Sequence, residues 1–134
     1  MEQNAAFAYV RNICAAENIP LQKQGIKNDH QGKYIELTFL SPELGARYEK
    51  QITTLSADTG WRMVISRAVL QNQVLPLAAQ IAERAGFTLV KSPSYMPVTR
   101  EIQLKVSSFN PDAQASVISE ITEQTGLSCK ILIM

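Results

Sequence analysis

One histidine, two cysteines and a scatter of carboxylates are the side chains of this 134-residue chain best suited to chemistry. Their spacing works against catalysis. His30 follows Asp29 in the polar turn Lys27-Asn28-Asp29-His30-Gln31-Gly32. A His–Asp pair acts as acid or base only when rigidly oriented, with a nucleophile in reach. Neighbours in a turn seldom face a common point, so His30 reads as a solvated turn residue. Metal binding needs several ligands at workable spacing, and Cys14, His30 and Cys129 are too far apart in the chain to supply them. No glycine-rich phosphate loop and no nucleophile elbow occurs. Glu36 and Glu101 fall on outward strand positions, where solvated surface acids are the simpler reading. Both cysteines lie among apolar neighbours and read as small buried hydrophobes. The expectation is a protein without metal or cofactor that binds and does not catalyse.

Binding points to the cations and aromatics. Lys23, Lys27, Lys33, Lys91 and Arg100 flank the turn-rich segments, with Tyr95 placed to stack on a base, a contact worth about 1–3 kcal/mol. Tyr34 is similarly placed, and Arg62, Lys105 and Lys130 extend the basic set. Single-stranded nucleic acid, RNA or DNA, is the first ligand this implies. Thirteen basic against twelve acidic residues leave a net charge of +1, so attraction would come from a local patch and not from the whole molecule. The competing account is that lysines guard strand edges. A second surface is the loop around Tyr95 and Met96, an aromatic and a thioether between Pro93 and Pro97. That pair resembles an interface anchor, so the alternative is a protein partner, with the chain acting as an interaction or assembly domain of a larger protein.

The elements that would position these residues read as follows. Phe7, Val10 and Cys14 mark a helix ended by Asn18 and Pro20. A weak strand over 21–26 and the polar turn lead into Lys33–Leu40, where Ile35, Leu37 and Phe39 alternate with Glu36 and Thr38. Ser41-Pro42-Glu43 starts a helix: N-cap, proline at the first position, acid near the dipole's positive end. Leu44, Tyr48, Ile52 and Leu55 form its stripe, Thr59-Gly60 its stop, and Trp61–Ile65 the next strand. Val74, Leu77 and Ile81 mark another helix, with Pro76 expected in its first turn and Gly86 as its end. Phe87–Val90 reads as a strand and Ser92–Pro97 as a loop. Ile102, Leu104 and Val106 alternate cleanly. Asn110-Pro111-Asp112, then Val117, Ile118 and Ile121, then Thr125-Gly126, repeat the start, stripe and stop of the earlier helix before a last strand over 127–134.

These agreements recur at offsets of 66 or 67 residues, which predicts an α+β chain of two duplicated αββαβ halves, 1–66 and 67–134. Each half is too small to bury a good core alone, so they are expected to pack as a pseudo-two-fold, two-layer sandwich. The αββαβ order is similar, at the level of fold only, to KH-type and ferredoxin-like RNA-binding modules. The GXXG loop that grips a backbone in KH modules is missing, because no two of the six glycines stand three apart. No run approaches the roughly 20 apolar residues of a bilayer span. The acid at position 2 and the lack of a basic leader argue against a signal peptide. A reducing cytoplasm is the expected compartment.

Overall fold

The residues described by the computed structural model, 1–108 and 110–134, run α1 (Gln3–Ala16), β1 (Lys23–Asp29), β2 (Gly32–Thr38), α2 (Pro42–Ala46), α3 (Glu49–Thr59), β3 (Met63–Ile65), α4 (Gln71–Arg84), β4 (Ser94–Met96), β5 (Glu101–Val106), α5 (Pro111–Thr125) and β6 (Ser128–Ile133). The chain divides into two compact units, Met1–Val69 and Leu70–Met134. Each carries a three-stranded mixed sheet, ordered β1-β2-β3 in the first and β4-β5-β6 in the second. Within each sheet the first two strands pair antiparallel and the third runs parallel to the second. That geometry requires a crossover, which α3 and α5 supply. The architecture is α+β.

In the first unit the period-2 pattern does what it predicts: Ile35, Leu37 and then Phe39 are buried, while Tyr34 and Glu36 take the other face. Ala6, Val10 and Cys14, spaced by four along α1, close over them together with Ile52 and Leu55 of α3. The Glu2 carboxylate caps α1, accepting from the amides of Asn4 and Ala5 at 2.9 and 3.2 Å. One expected helix over 42–59 is two. The break falls at Arg47–Tyr48, where Arg47 N–H donates to the Leu44 carbonyl and Tyr48 N–H to the Gly45 carbonyl, bonds tighter than α-helical. The apolar stripe survives the break, with Leu44, Ile52 and Leu55 buried and Tyr48 half-buried.

The same capping devices appear in both units. Ser41 Oγ accepts from Leu44 N–H at 3.1 Å and Asn110 Oδ1 from Ala113 N–H at 3.3 Å, each followed by proline. Gly60 and Gly126 stop α3 and α5 in the left-handed region, at φ 74° and 77°. The threonine before each glycine is buried and doubly used. Thr59 Oγ1 donates to the Leu55 carbonyl at 2.8 Å and accepts from Trp61 N–H at 3.3 Å. Thr125 Oγ1 does the same with Ile121 and Leu127, at 2.7 and 3.2 Å. Thr59→Val keeps the shape and removes the acceptor, leaving the Trp61 amide to seek another. Stability is expected to fall by about 1 kcal/mol, read by urea unfolding. Thr59→Ser, which retains the hydroxyl, should recover part of that loss.

The second unit departs from the sequence reading in two places. Helix α4 begins at Gln71, so Pro76 is its sixth residue and not part of the first turn. Proline there removes the amide that would bond the Asn72 carbonyl, and its ring sits on the exposed side of the helix. Val74, Ala78, Ile81 and Ala82 supply the buried side. The apolar run Phe87–Val90 is not a strand; only Leu89 bridges to Val106. The true edge strand lies inside the expected loop, with Ser94 opposite Gln103 and Met96 opposite Glu101. Between the two pairings, residues 90–93 face only residues 104–105, a bulge that ends on Pro93.

Candidate functional site

Pairing register decides which of the expected site residues share a surface. In the first sheet Lys23 stands opposite Thr38, Lys27 opposite Tyr34, and Asn28 opposite Lys33. Directly opposed residues share a face, so Lys23 and Lys27 lie on the open face with Tyr34 and Glu36. Lys33 has the parity of Ile35, on the helix-bearing side, at the hairpin tip. All three lysines are exposed. The register thus joins two of the three and separates the third.

An unforeseen cluster occupies the tip of that hairpin. Arg62 grips Asp29 with both guanidinium nitrogens, at 3.0 Å from Nη1 to Oδ2 and 2.6 Å from Nη2 to Oδ1. Nη2 also donates to the Gly32 carbonyl at 3.2 Å, and the guanidinium carbon sits 4.7 Å from the centroid of the Tyr34 ring. This arrangement changes three roles at once. Arg62 adds no net charge to a phosphate-binding patch, because the Asp29 carboxylate neutralises it. One face of Tyr34 is covered by a cation, so it offers a base only the other. Asp29 is held by Arg62 and by the Gln31 amide at 2.9 Å, which leaves His30 in the turn without an orienting carboxylate.

The Arg62 guanidinium, with help from the Gln31 amide, holds the Asp29 carboxyl below the usual carboxylate range, and Asp29 in turn raises Arg62. Because the folded value lies below the unfolded one, the pair's contribution is complete above the ordinary aspartate pKa of about 3.9. It is lost as pH falls through the lowered folded value. Asp29→Asn should therefore flatten the acid limb of a plot of melting temperature against pH below about 4. An unchanged limb would show that the pair contributes nothing.

In the second unit Tyr95 stands opposite Ile102 and Met96 opposite Glu101, both half-buried. Tyr95 therefore shares the side of the buried β5 residues, and Met96 the open side. Lys91 lies in the bulge before β4, while Arg100, at φ 54°, lies in the 97–100 loop at the other end of that strand. Both are exposed. Val98, at the tip of the loop, is 96% exposed.

Cys14 and Cys129 are free thiols. Burial, with Glu17 adding to it, pushes Cys14 up, and burial, reinforced by Glu101, pushes Cys129 up to about 12. A thiol so held is protonated near neutrality and is a poor nucleophile or metal ligand. Among the described residues no three His, Cys, Asp or Glu side chains gather as a metal site. No helix among them is long and apolar enough to cross a membrane.

Two hollows differ in character. The first unit has one of about 490 Å³ beside α1 and β1, with Arg11, Lys23 and Gln24 on its walls. Gln24 Nε2 donates to the Phe7 carbonyl at 2.9 Å, and its buried Oε1 has no hydrogen-bond partner among the described residues. The second unit has a groove of about 440 Å³ against α4, lined by Leu75, Pro76, Ala79 and Pro93 together with Gln71, Asn72 and Ser92. Among the described residues nothing charged lines it. The sequence hides this groove, because Pro76 and Pro93 read there as punctuation.

No protein-family model matches the chain, and no curated protein matches it. Among solved structures it is similar to CdsD, a structural protein of the type III secretion system of Chlamydia trachomatis, at 14% identity and a TM-score of 0.39. The match covers 100% of this chain and 64% of that one.

Proposed function

We propose that this chain is a non-catalytic module that works by protein–protein contact, as an assembly or interaction domain. The observation that carries the reading is the uncharged groove on α4, where Leu75, Pro76, Ala79 and Pro93 line a hollow of about 440 Å³. A concave, mostly apolar surface with a few uncharged polar groups suits a partner's apolar anchor side chain. Met96 and the exposed Val98 add apolar surface elsewhere in the same unit. The architectural part of the proposal is that the two αββαβ halves descend from one duplicated unit, supported by the matching cap, proline and Thr-Gly hydrogen bonds. Any kinship with KH-like or ferredoxin-like modules belongs to the same proposal.

The rival is single-stranded nucleic acid on Lys23, Lys27, Lys33, Lys91, Arg100 and Tyr95. It draws on the pairing of Lys23 and Lys27 on one open face and is weakened by the Asp29–Arg62 neutralisation. Affinity capture with the wild-type chain, Leu75→Asp and a Lys23→Glu/Lys27→Glu/Lys91→Glu variant separates the two. A protein retained by wild type and by the lysine variant, but lost by at least tenfold with Leu75→Asp, is the expected result. Salt-sensitive binding of labelled oligonucleotides that the lysine variant abolishes would instead establish the rival.

A further inference from the structure

Among the described residues the two sheets have four edge strands, and three of them are well guarded. The exposed residues of β1 are Lys23, Lys27, Asn28 and Asp29. Strand β3 is three residues long, and β4 is three residues long behind the bulge at Pro93. Charge, shortness and bulges are the devices that keep an edge from pairing with another chain. Strand β6 is guarded least: it is neither short nor bulged, and a single exposed charge protects it. It runs for six residues, Ser-Cys-Lys-Ile-Leu-Ile, with Lys130 as its one charge. Ile133 is 47% exposed and Met134 64%.

Its hydrogen-bonding direction follows from one bond. Met134 N–H donates to the Val106 carbonyl at 2.9 Å. Alternation along the strand then turns the N–H and C=O of Cys129, Ile131 and Ile133 away from β5, to the outer edge. Among the described residues no backbone hydrogen bond from outside the sheet ends on these three.

We infer that the outer edge of β6 pairs antiparallel with β6 of a second copy of this chain, Ile131 opposite Ile131. This rests on the protein-contact reading but uses a surface other than the α4 groove. The register is argued from self-complementarity. Centred on Ile131, the pairing sets Cys129 opposite Ile133, so every outward N–H and C=O meets a partner, and Lys130 lies beside Leu132. Shifting the sum of paired numbers one way places Lys130 opposite Lys130, a like-charge pair that destabilises. Shifting it the other way carries Cys129 beyond the overlap. A peptide of unrelated sequence has no such reason to prefer one register.

Light scattering and sedimentation over a range up to about 1 mM should find a dimer of the 134-residue chain. Ile133→Pro removes an outward donor and no bond to β5, so it should weaken dimerisation at least tenfold while circular dichroism shows a folded chain. Leu132→Glu sets a carboxylate beside Lys130 of the second copy and should tighten the dimer severalfold at low salt, the gain fading as salt rises. A monomer throughout, or a dimer indifferent to Ile133→Pro, overturns the inference. Should Ile133→Pro not fold, amide exchange decides: protection of Cys129, Ile131 and Ile133 must fall on dilution, and constant protection overturns it. Leu75→Asp leaves the β6 dimer intact, so failure of the groove and failure of the edge read out separately.

Discussion

Phe39→Ala is expected to destabilise the first unit by about 3–5 kcal/mol. The ring is 1% exposed, just past the end of β2, and packs in one cluster with Ile35, Leu37, Leu44 and Leu55. It stacks on Tyr48 with centroids 6.1 Å apart and planes 3° from parallel. Removing it opens a cavity that the surroundings close poorly, since Ile35 and Leu37 are fixed by ladder pairs on both sides of β2. Domain stabilities are commonly about 5–15 kcal/mol, and small units fall at the low end. The variant should therefore be substantially unfolded in this unit at room temperature. Phe39→Leu keeps most of the volume and should cost about 1.5 kcal/mol or less. Trp61, the single tryptophan, reports locally: it packs at the border of the same core, and its indole N–H donates to the Met1 carbonyl at 2.7 Å. A urea midpoint, followed by Trp61 fluorescence, that is barely moved by Phe39→Ala would refute the assignment of this ring as the keystone of the unit.

Much of this core is legible in the sequence because local chemistry and tertiary role coincide there. Ile35-Leu37-Phe39 and Ile102-Leu104-Val106 alternate with polar residues, and the structure buries each triplet. Ser41-Pro42, Asn110-Pro111 and the two Thr-Gly stops specify their own hydrogen bonds within a few residues. What the sequence conceals depends on contacts distant along the chain. The stripe Leu44-Tyr48-Ile52-Leu55 runs through the α2–α3 break without a flaw in its spacing, so periodicity cannot report the break. Ser94–Met96 hides between prolines, because proline is tolerated on an edge beside a bulge and the pairing with 101–103 needs no β-branched residue there.

The candidate surfaces divide in the same way. Exposure of the lysines follows from their type, but which of them share a face follows from register, which composition does not contain. A single step in parity sets Lys33 apart from Lys23 and Lys27. Asp29 and Arg62 lie 33 residues apart, and only the parallel docking of β3 onto β2 brings them together. The groove on α4 and the sparsely guarded edge of β6 are likewise properties of the assembled unit: one needs the bulge at Pro93, and the other needs β6 to lie at the edge of its sheet.

Gly45 gives the second large effect, one whose sign local propensity gets wrong. Glycine in a helix is less favourable than alanine by about 1 kcal/mol, so propensity alone predicts that Gly45→Ala stabilises. The tertiary surroundings oppose it. A Cβ built at Gly45 would lie 2.7 Å from Phe39 Cδ2, 3.0 Å from Ile65 Cγ2 and 3.1 Å from Phe39 Cε2. Phe39 is a core side chain with Tyr48 stacked against it, so the ring does not retreat without opening space elsewhere, while Ile65 is half-buried against the same core. Overpacking of this kind costs about 1–3 kcal/mol, enough to outweigh the helix gain. Gly45→Ala should thus come out destabilising by about 1 kcal/mol, and Gly45→Val, which adds two methyl groups against the ring, by about 3 kcal/mol. The collision itself is tested by a double-mutant cycle. In a Phe39→Leu background the two aromatic carbons nearest the new Cβ are gone, and Gly45→Ala should cost less than in wild type, with a coupling of about 1 kcal/mol. Equal cost in both backgrounds would mean that the glycine is required for something other than the close approach of α2 to Phe39.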